Sequence, residues 1–319
     1  MIYTPVPGVR TLVLPMGGPM ATVNVHLVEL EQGYLLVDSG MGTAECLAAL
    51  ESSLAECGLA WAGVRTLLLT HLHPDHVGHA RHVLDRSGAR LLMHRIDAHN
   101  LAVLSRAGRS PFFEEAWKLA GIPSVLRERL DLRLAAHPRP PVPAPHLALE
   151  GGERIAIRGG TLEAVWTPGH SAGHVCLYCP EQRYLIAGDH LLEHITPNIG
   201  WRPGQDMLAQ YLDSLRLIER LEVDWVLPSH GPAFRNHRKR IQEIIDHHQQ
   251  RCDRILEHIS VEPLTAHALV ERIWQANMSS FAQHLAVLEI LAHLEYLRRR
   301  GPMTVEPLPE GAIAWHRAA

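Results

Sequence analysis

The heptapeptide Thr70-His71-Leu72-His73-Pro74-Asp75-His76 places three imidazoles and a carboxylate directly after an apolar run, Val64 to Leu69. The run reads as a buried strand and the heptapeptide as the loop at its carboxyl end. Neutral imidazole and carboxylate are the usual ligands of zinc and related divalent ions. Two His separated by one residue can close on one ion while Asp75 and His76 turn toward a second. A single His-x-His in a chain carrying 23 His reads as an ordinary surface turn. Asp75 and His76 shift the reading to a two-metal site.

Such a site needs ligands from elsewhere, and three later runs end in suitable residues. Leu162 to Gly169 leads into His170, Tyr184 to Gly188 into Asp189, and Val223 to Ser229 into His230. Ligands at strand ends, with Gly or Pro shaping the turn before them, suit a site at the edge of a layered sheet.

In chain order the motifs are THLHPDH, TPGHSAGH, AGDH and PSHG. This pattern resembles the metallo-β-lactamase fold superfamily of hydrolases. It is closer to glyoxalase II and its relatives than to the true β-lactamases, which lack the bridging Asp and use a Cys in its neighbourhood. The resemblance implies that His71, His73 and His170 hold one metal, that Asp75, His76 and His230 hold the other, and that Asp189 bridges them. Leu36-Val37-Asp38-Ser39-Gly40 resembles the turn after an early strand of this superfamily, with Asp38 orienting the metal loop from behind the ligands. The competing reading makes Asp38 a turn acid that caps the next helix.

Composition bounds the rest. The chain has 319 residues, enough for one large domain with an appendage or for two domains. It is 46% apolar and 20% charged, ordinary for a soluble globular protein. No apolar stretch approaches the ~20 residues that cross a bilayer. The start lacks a basic segment followed by an apolar one. The expectation is a cytoplasmic protein with no membrane role. Five Cys suggest no disulfide framework, and Cys176 and Cys179 fall on opposite faces of one strand as buried thiols. A net charge of −4 gives no general attraction for polyanions.

Among the elements that must position the ligands, strands are expected over Thr11–Leu14, Val23–Leu30, Gly33–Val37, Val64–Leu69 and Ala89–Met93. Helices are expected over Ala44–Cys57 and His79–Gly88. Periodicity alone says mixed α and β. The resemblance adds a four-layer αβ/βα sandwich in a hydrolase domain over 1–235, with a helical insert at about 95–149. Within that insert, helices are expected over Asp97–Arg106 and over Pro111–Leu130, the second broken near Gly121–Pro123, and His137–Pro145 reads as a stiff connector. Residues 236–319 read as a mainly helical C-terminal module. It has helices over Asn236–Ile259, Thr265–Ile273 and Phe281–Arg300, then a Gly301-Pro302 turn into a hairpin, and it resembles the winged-helix-like module of some superfamily members. Its apolar spacing requires docking on the hydrolase body or self-association as a homodimer. Arg298-Arg299-Arg300 suits a helix C-terminus, whereas Arg235, Arg238, Lys239 and Arg240 open a helix, either as a solvated face or as an anion contact. Acidic Glu289 and Glu295 argue against duplex DNA.

Of the remaining imidazoles, His174 and His190 lie close to ligands and either support them or simply pack there. His194, in the loop after Asp189, is the candidate substrate contact. The expected function is dinuclear hydrolysis of a small acyl substrate, a thioester, ester or lactone, by a metal-bridging hydroxide, and the resemblance implies that Asp75 both binds metal and accepts a proton. Zinc is the first expectation for the two ions, and iron and manganese suit the same donors. The alternatives are a metal-dependent phosphodiesterase or endoribonuclease, and a noncatalytic or redox metal-binding protein.

Overall fold

Alternation of apolar side chains along the strands sets the architecture. The computed structural model of the protein describes residues 1–17, 21–107, 111–135, 141–260, 262–274, 278–301 and 303–317. The chain opens with strands β1 (Ile2–Val6), β2 (Val9–Pro15), β3 (Thr22–Glu29) and β4 (Tyr34–Val37), then helix α1 (Ala44–Glu56) and strand β5 (Val64–Leu69). Short helix α2 (Pro74–Val77) and helix α3 (Ala80–Ser87) follow, then strand β6 (Arg90–His94) and helices α4 (Arg95–Ala107), α5 (Pro111–Leu119) and α6 (Ser124–Ala135). Next come strands β7 (Leu147–Leu149), β8 (Arg154–Ile157), β9 (Gly160–Trp166), β10 (Val175–Cys179) and β11 (Tyr184–Gly188), helix α7 (Met207–Glu219) and strand β12 (Trp225–Pro228). Helices α8 (His237–Ile259), α9 (Ala266–Trp274) and α10 (Ser280–Arg299) and the hairpin β13 (Met303–Pro307) and β14 (Ile313–Arg317) complete it.

Strands β1 to β7 form one sheet in sequence order, and a second sheet runs β12-β11-β10-β9-β8. In β4, Leu36 faces the layer of α1 and α3, while Leu35 and Val37 face the core between the sheets; in β5 the split is Leu67 and Leu69 against Leu68. That period of two buries both faces of each strand, which is why these strands read as unbroken apolar runs. The inter-sheet core is completed by Val175, Leu177 and Ile186 from the second sheet. Cys179 joins that core, whereas Cys176 turns to the other face of β10, and both are free thiols.

Strands β4, β5, β6 and β7 run parallel, as do β11 and β12. The carboxyl ends of β4, β5, β11 and β12 are therefore where Asp38, His71, Asp189 and His230 emerge. Such ends are the usual location of sites in sheets of this kind.

The chain divides into two compact units. One comprises residues 1–106, 139–197 and 214–241, with both sheets; the other comprises residues 107–138, 198–213 and 242–319. In the second unit, α5 and α6 group with α9, α10 and the hairpin, so part of the expected insert shares a body with the C-terminal helices. Its interior includes Trp117, Leu269, Val287, Leu291 and Trp315, with Trp117 donating to His284 at 2.9 Å.

Several expectations need adjustment. The break expected near Gly121–Pro123 is present, with Gly121 at φ 72°, but the second helix runs past Leu130 to Ala135. Strands β1, β7 and β8 and helix α7 are additional, and β7 falls within the expected helical insert yet pairs with β6 in the first sheet. Helix α7 repeats Met207, Leu208, Tyr211, Leu215 and Ile218 at helical spacing, all buried. Residues 137–140 of the Pro-rich connector and Pro302 of the expected turn lie outside the described residues. Among the described residues no helix is long and apolar enough to cross a membrane.

One close backbone approach lies directly after the His71–His76 loop. A Cβ added at Gly78 would lie 2.2 Å from the Gly42 nitrogen and 2.5 Å from the Gly40 oxygen. Gly78→Ala is expected to destabilise the protein by about 1–3 kcal/mol or more, since main chain rather than a flexible side chain must give way. Urea denaturation measures this, and an unchanged midpoint would show that the approach is not tight.

Candidate metal centre

Seven side chains from four segments meet in two groups. His71, His73, His170 and Asp189 form one, and Asp75, His76, Asp189 and His230 form the other, each with its candidate ligand atoms within 4.8 Å of one another. Asp189 belongs to both and turns one oxygen to each. Its Oδ2 lies 3.5 Å from His170 Nε2, and its Oδ1 lies 3.5 Å from His76 Nε2 and 3.4 Å from His230 Nε2. In the first group, His73 Nδ1 sits 3.0 Å from His71 Nε2 and 2.9 Å from His170 Nε2. In the second, Asp75 Oδ2 lies 3.2 Å from His230 Nε2 and 3.5 Å from His76 Nε2.

The ring atoms that face inward are fixed by what holds the outer ones. Asp38 lies just past β4 with φ 67°, a left-handed conformation that Asp tolerates better than most residues. Its carboxylate accepts from the Thr70 amide at 2.8 Å and from the Thr70 hydroxyl at 2.8 Å, and contacts His76 Nδ1 at 2.8 Å. With its proton on Asp38, the Thr70 hydroxyl accepts from His71 Nδ1 at 3.0 Å. Both His71 and His76 are thereby set to present Nε2 inward. His230 Nδ1 donates to the Thr22 carbonyl at 2.9 Å. Asn24 secures the His230 turn by donating to the carbonyls of Pro228 at 2.9 Å and Gly231 at 2.7 Å. Neither Thr70 nor Asn24 is among the expected site residues; a buried Asn inside an apolar strand is the signal that points to it.

The centre is buried and electrostatically unbalanced. Burial, with the neighbouring imidazoles, holds His71 well below its ordinary pKa. Burial would do the same to His76 and His230, but facing carboxylates outweigh it. Asp75, Asp189 and Asp38 raise His76 well above its usual value, and Asp189 and Asp75 push His230 up to about 10. Burial opposes ionisation of Asp75 and Asp189, yet His76 and His230 hold both carboxyls well below the usual carboxylate range. The facing carboxylates thus favour positive charge between these groups. His76 Nε2, His230 Nε2 and Asp189 Oδ1 are buried and make no hydrogen bonds, although their contacts are at ion-pair distance. Converging imidazoles, shared carboxylate oxygens and orphaned inward atoms fit a pair of divalent cations.

The other expected residues surround or leave the centre. His174 Nε2 accepts from the Asp189 amide at 3.2 Å and its Nδ1 contacts Thr167 Oγ1 at 2.8 Å, so it steadies the shared carboxylate's backbone. Gly188 permits this, because a Cβ there would lie 2.5 Å from His174 Nε2. His190 is fully buried, and burial followed by the nearby His170 lowers it to about 3, leaving it neutral. His194 is not brought into either group: it is exposed and lies 3.0 Å from Glu193. The basic cluster at the start of α8 is engaged internally. Arg235 stacks on Trp225, Arg238 donates to the Glu219 and Leu221 carbonyls at the C-terminal end of α7, and Arg240 donates to the Leu192 and Ile195 carbonyls. These contacts disfavour its reading as an anion contact.

Known proteins give a consistent answer. A metallo-beta-lactamase family protein from Thermus thermophilus superposes with a TM-score of 0.84 at 32% identity, covering 99% of this chain and 100% of that one. A beta-lactamase domain protein from Burkholderia ambifaria superposes with a TM-score of 0.91 at 28% identity, covering 99% and 94%. Among curated relatives, an atrochrysone carboxyl ACP thioesterase of Aspergillus fumigatus is 28% identical over 238 residues, 73% of this chain and 58% of its own length. The chain thus spans little more than half the length of that relative. The model of the metallo-beta-lactamase superfamily matches residues 19–230, the stretch that contains every one of the seven converging side chains, and the chain belongs to this superfamily of hydrolases.

Proposed function

We propose that the protein is a dinuclear metal-dependent hydrolase of small acyl substrates, with thioesters first among them. One ion would be held by His71, His73 and His170 and the other by Asp75, His76 and His230, with Asp189 within reach of both groups. The observation that carries this reading is the division of the Asp189 carboxylate, one oxygen toward each group. Two divalent ions there would supply a nucleophile from water at neutral pH and polarise the carbonyl under attack. The protein's own groups do the rest. Asp38 and Thr70 keep two imidazoles aimed inward, and Asp75, ionised and partly reachable, accepts the proton lost as water adds to the acyl carbon. The thioesterase name of the Aspergillus relative supports the choice of thioester, and zinc is the first choice of metal for His and carboxylate donors. The internal engagement of the α8 arginines weighs against a phosphodiesterase, and we read residues 236–319 as an accessory module that does not bind duplex DNA.

The test is a panel of acyl thioesters, esters, lactones and labelled single-stranded RNA on metal-reconstituted protein. Thioester turnover abolished by chelation is expected, and efficient RNA cleavage with no acyl turnover would sink the proposal. In the same panel His194→Ala is expected to shift KM or substrate ranking by several-fold with metal content intact, because the side chain lies outside both ligand groups on an exposed loop. An unchanged profile would remove His194 from the substrate site.

A further inference from the structure

We infer that Asp97 is a positioning residue for the first ion position, holding the two loops that carry His71, His73 and His170 in register with each other. The inference rests on the dinuclear reading above. Asp97 lies in the first turn of α4, just past β6, and is fully buried. Its Oδ2 accepts from the Leu72 amide at 3.1 Å and from the Ser171 hydroxyl at 2.6 Å, and its Oδ1 accepts from the Gly173 amide at 2.8 Å. Leu72 stands between His71 and His73, and Ser171 follows His170. One carboxylate therefore ties together segments about a hundred positions apart, at the residues adjoining three imidazoles of one group.

Sheet order explains why this position is suited to the task. Strand β5, which delivers the His71 to His76 loop, lies between β4 and β6, and all three run parallel. Asp38 follows β4 and Asp97 follows β6, so the loop is held from both sides by buried carboxylates. The two differ in reach. Asp38 bonds directly to His76, a member of the second group, and through Thr70 to His71. Asp97 reaches the main chain beside members of the first group alone. Gly173 makes room for it, since a Cβ there would lie 2.6 Å from the Asp97 nitrogen and 2.8 Å from its Cβ. A backbone amide bonded to a buried carboxylate is a strong, charge-assisted anchor, and its geometry passes directly to the flanking side chains.

Asp97→Asn keeps the shape and removes the match. Its carboxamide has one acceptor oxygen, so in either orientation the NH2 group faces a backbone N–H, that of Leu72 or that of Gly173. The experiment is a Co2+ titration of the metal-stripped full-length protein, followed by absorbance, in two backgrounds. His230→Ala cripples the second position and reports the first; His170→Ala does the reverse. Asp97→Asn is expected to weaken binding about 10–100-fold in the His230→Ala background, the usual cost of losing an outer partner, and to leave the His170→Ala background within about three-fold. Equal losses in both backgrounds, or no loss in either, would overturn the assignment. Should Asp97→Asn not fold, Ser171→Ala carries the test, with a smaller loss again confined to the His230→Ala background and the same two outcomes overturning it. Wild-type protein that takes up fewer than two ions refutes the dinuclear reading, a failure visible before any Asp97 or Ser171 variant is made.

Discussion

Replacing Asp189 with Ala is expected to empty both ion positions at once. Among the described residues no other side chain belongs to both groups, and its two oxygens face different imidazoles, Oδ2 toward His170 and Oδ1 toward His76 and His230. Truncation removes a ligand from each position and much of the negative charge that the second group is built around. Affinity at both should fall by more than the roughly 10–100-fold that loss of an outer partner costs. Metal content after dialysis against dilute chelator reads this directly, with circular dichroism confirming the fold. A variant that retains one ion at wild-type affinity would show that Asp189 serves a single position.

Asp75→Asn separates ligand from proton acceptor. The carboxyl is held ionised by His76 and His230, with burial opposing, and its Oδ2 lies 3.2 Å from His230 Nε2. Asn preserves the volume and one ligand oxygen but has neither the charge nor the basicity. At metal concentrations high enough to fill the site, kcat is expected to fall about 10²–10⁴-fold, the usual range for losing a general acid or base, with a much smaller change in KM. If excess metal restores kcat to the wild-type value, Asp75 acts as a ligand only.

The candidate ligands are legible in the sequence because each lies in a short motif at the end of an apolar run, where strand and turn are both written locally. What lay beyond reach acts across the fold. Asp97 looks like any acid in the first turn of a helix, and its importance comes from Leu72, Ser171 and Gly173, which only the parallel β5–β6 pairing and the return of the β9–β10 loop bring to it. Asn24 meets the His230 turn more than two hundred positions later. Gly78 carries no local mark of the Gly42 backbone packed against it. The arginines of α8 illustrate the opposite case: charge spacing allows a solvated face or an anion contact, while carbonyls left open at the end of α7 and in the loop after Asp189 provide the partners. Helix α7 had a readable apolar period, but no motif lies on it to draw attention.

The two-ion arrangement around Asp189 is tested most directly by anomalous diffraction from crystals of metal-reconstituted protein, collected on either side of the metal's absorption edge. The account predicts two peaks about 3.5–4 Å apart, one among His71, His73 and His170 and one among Asp75, His76 and His230, with an Asp189 oxygen on each. A single peak in fully active protein, or two peaks with Asp189 bound to one of them, would contradict it.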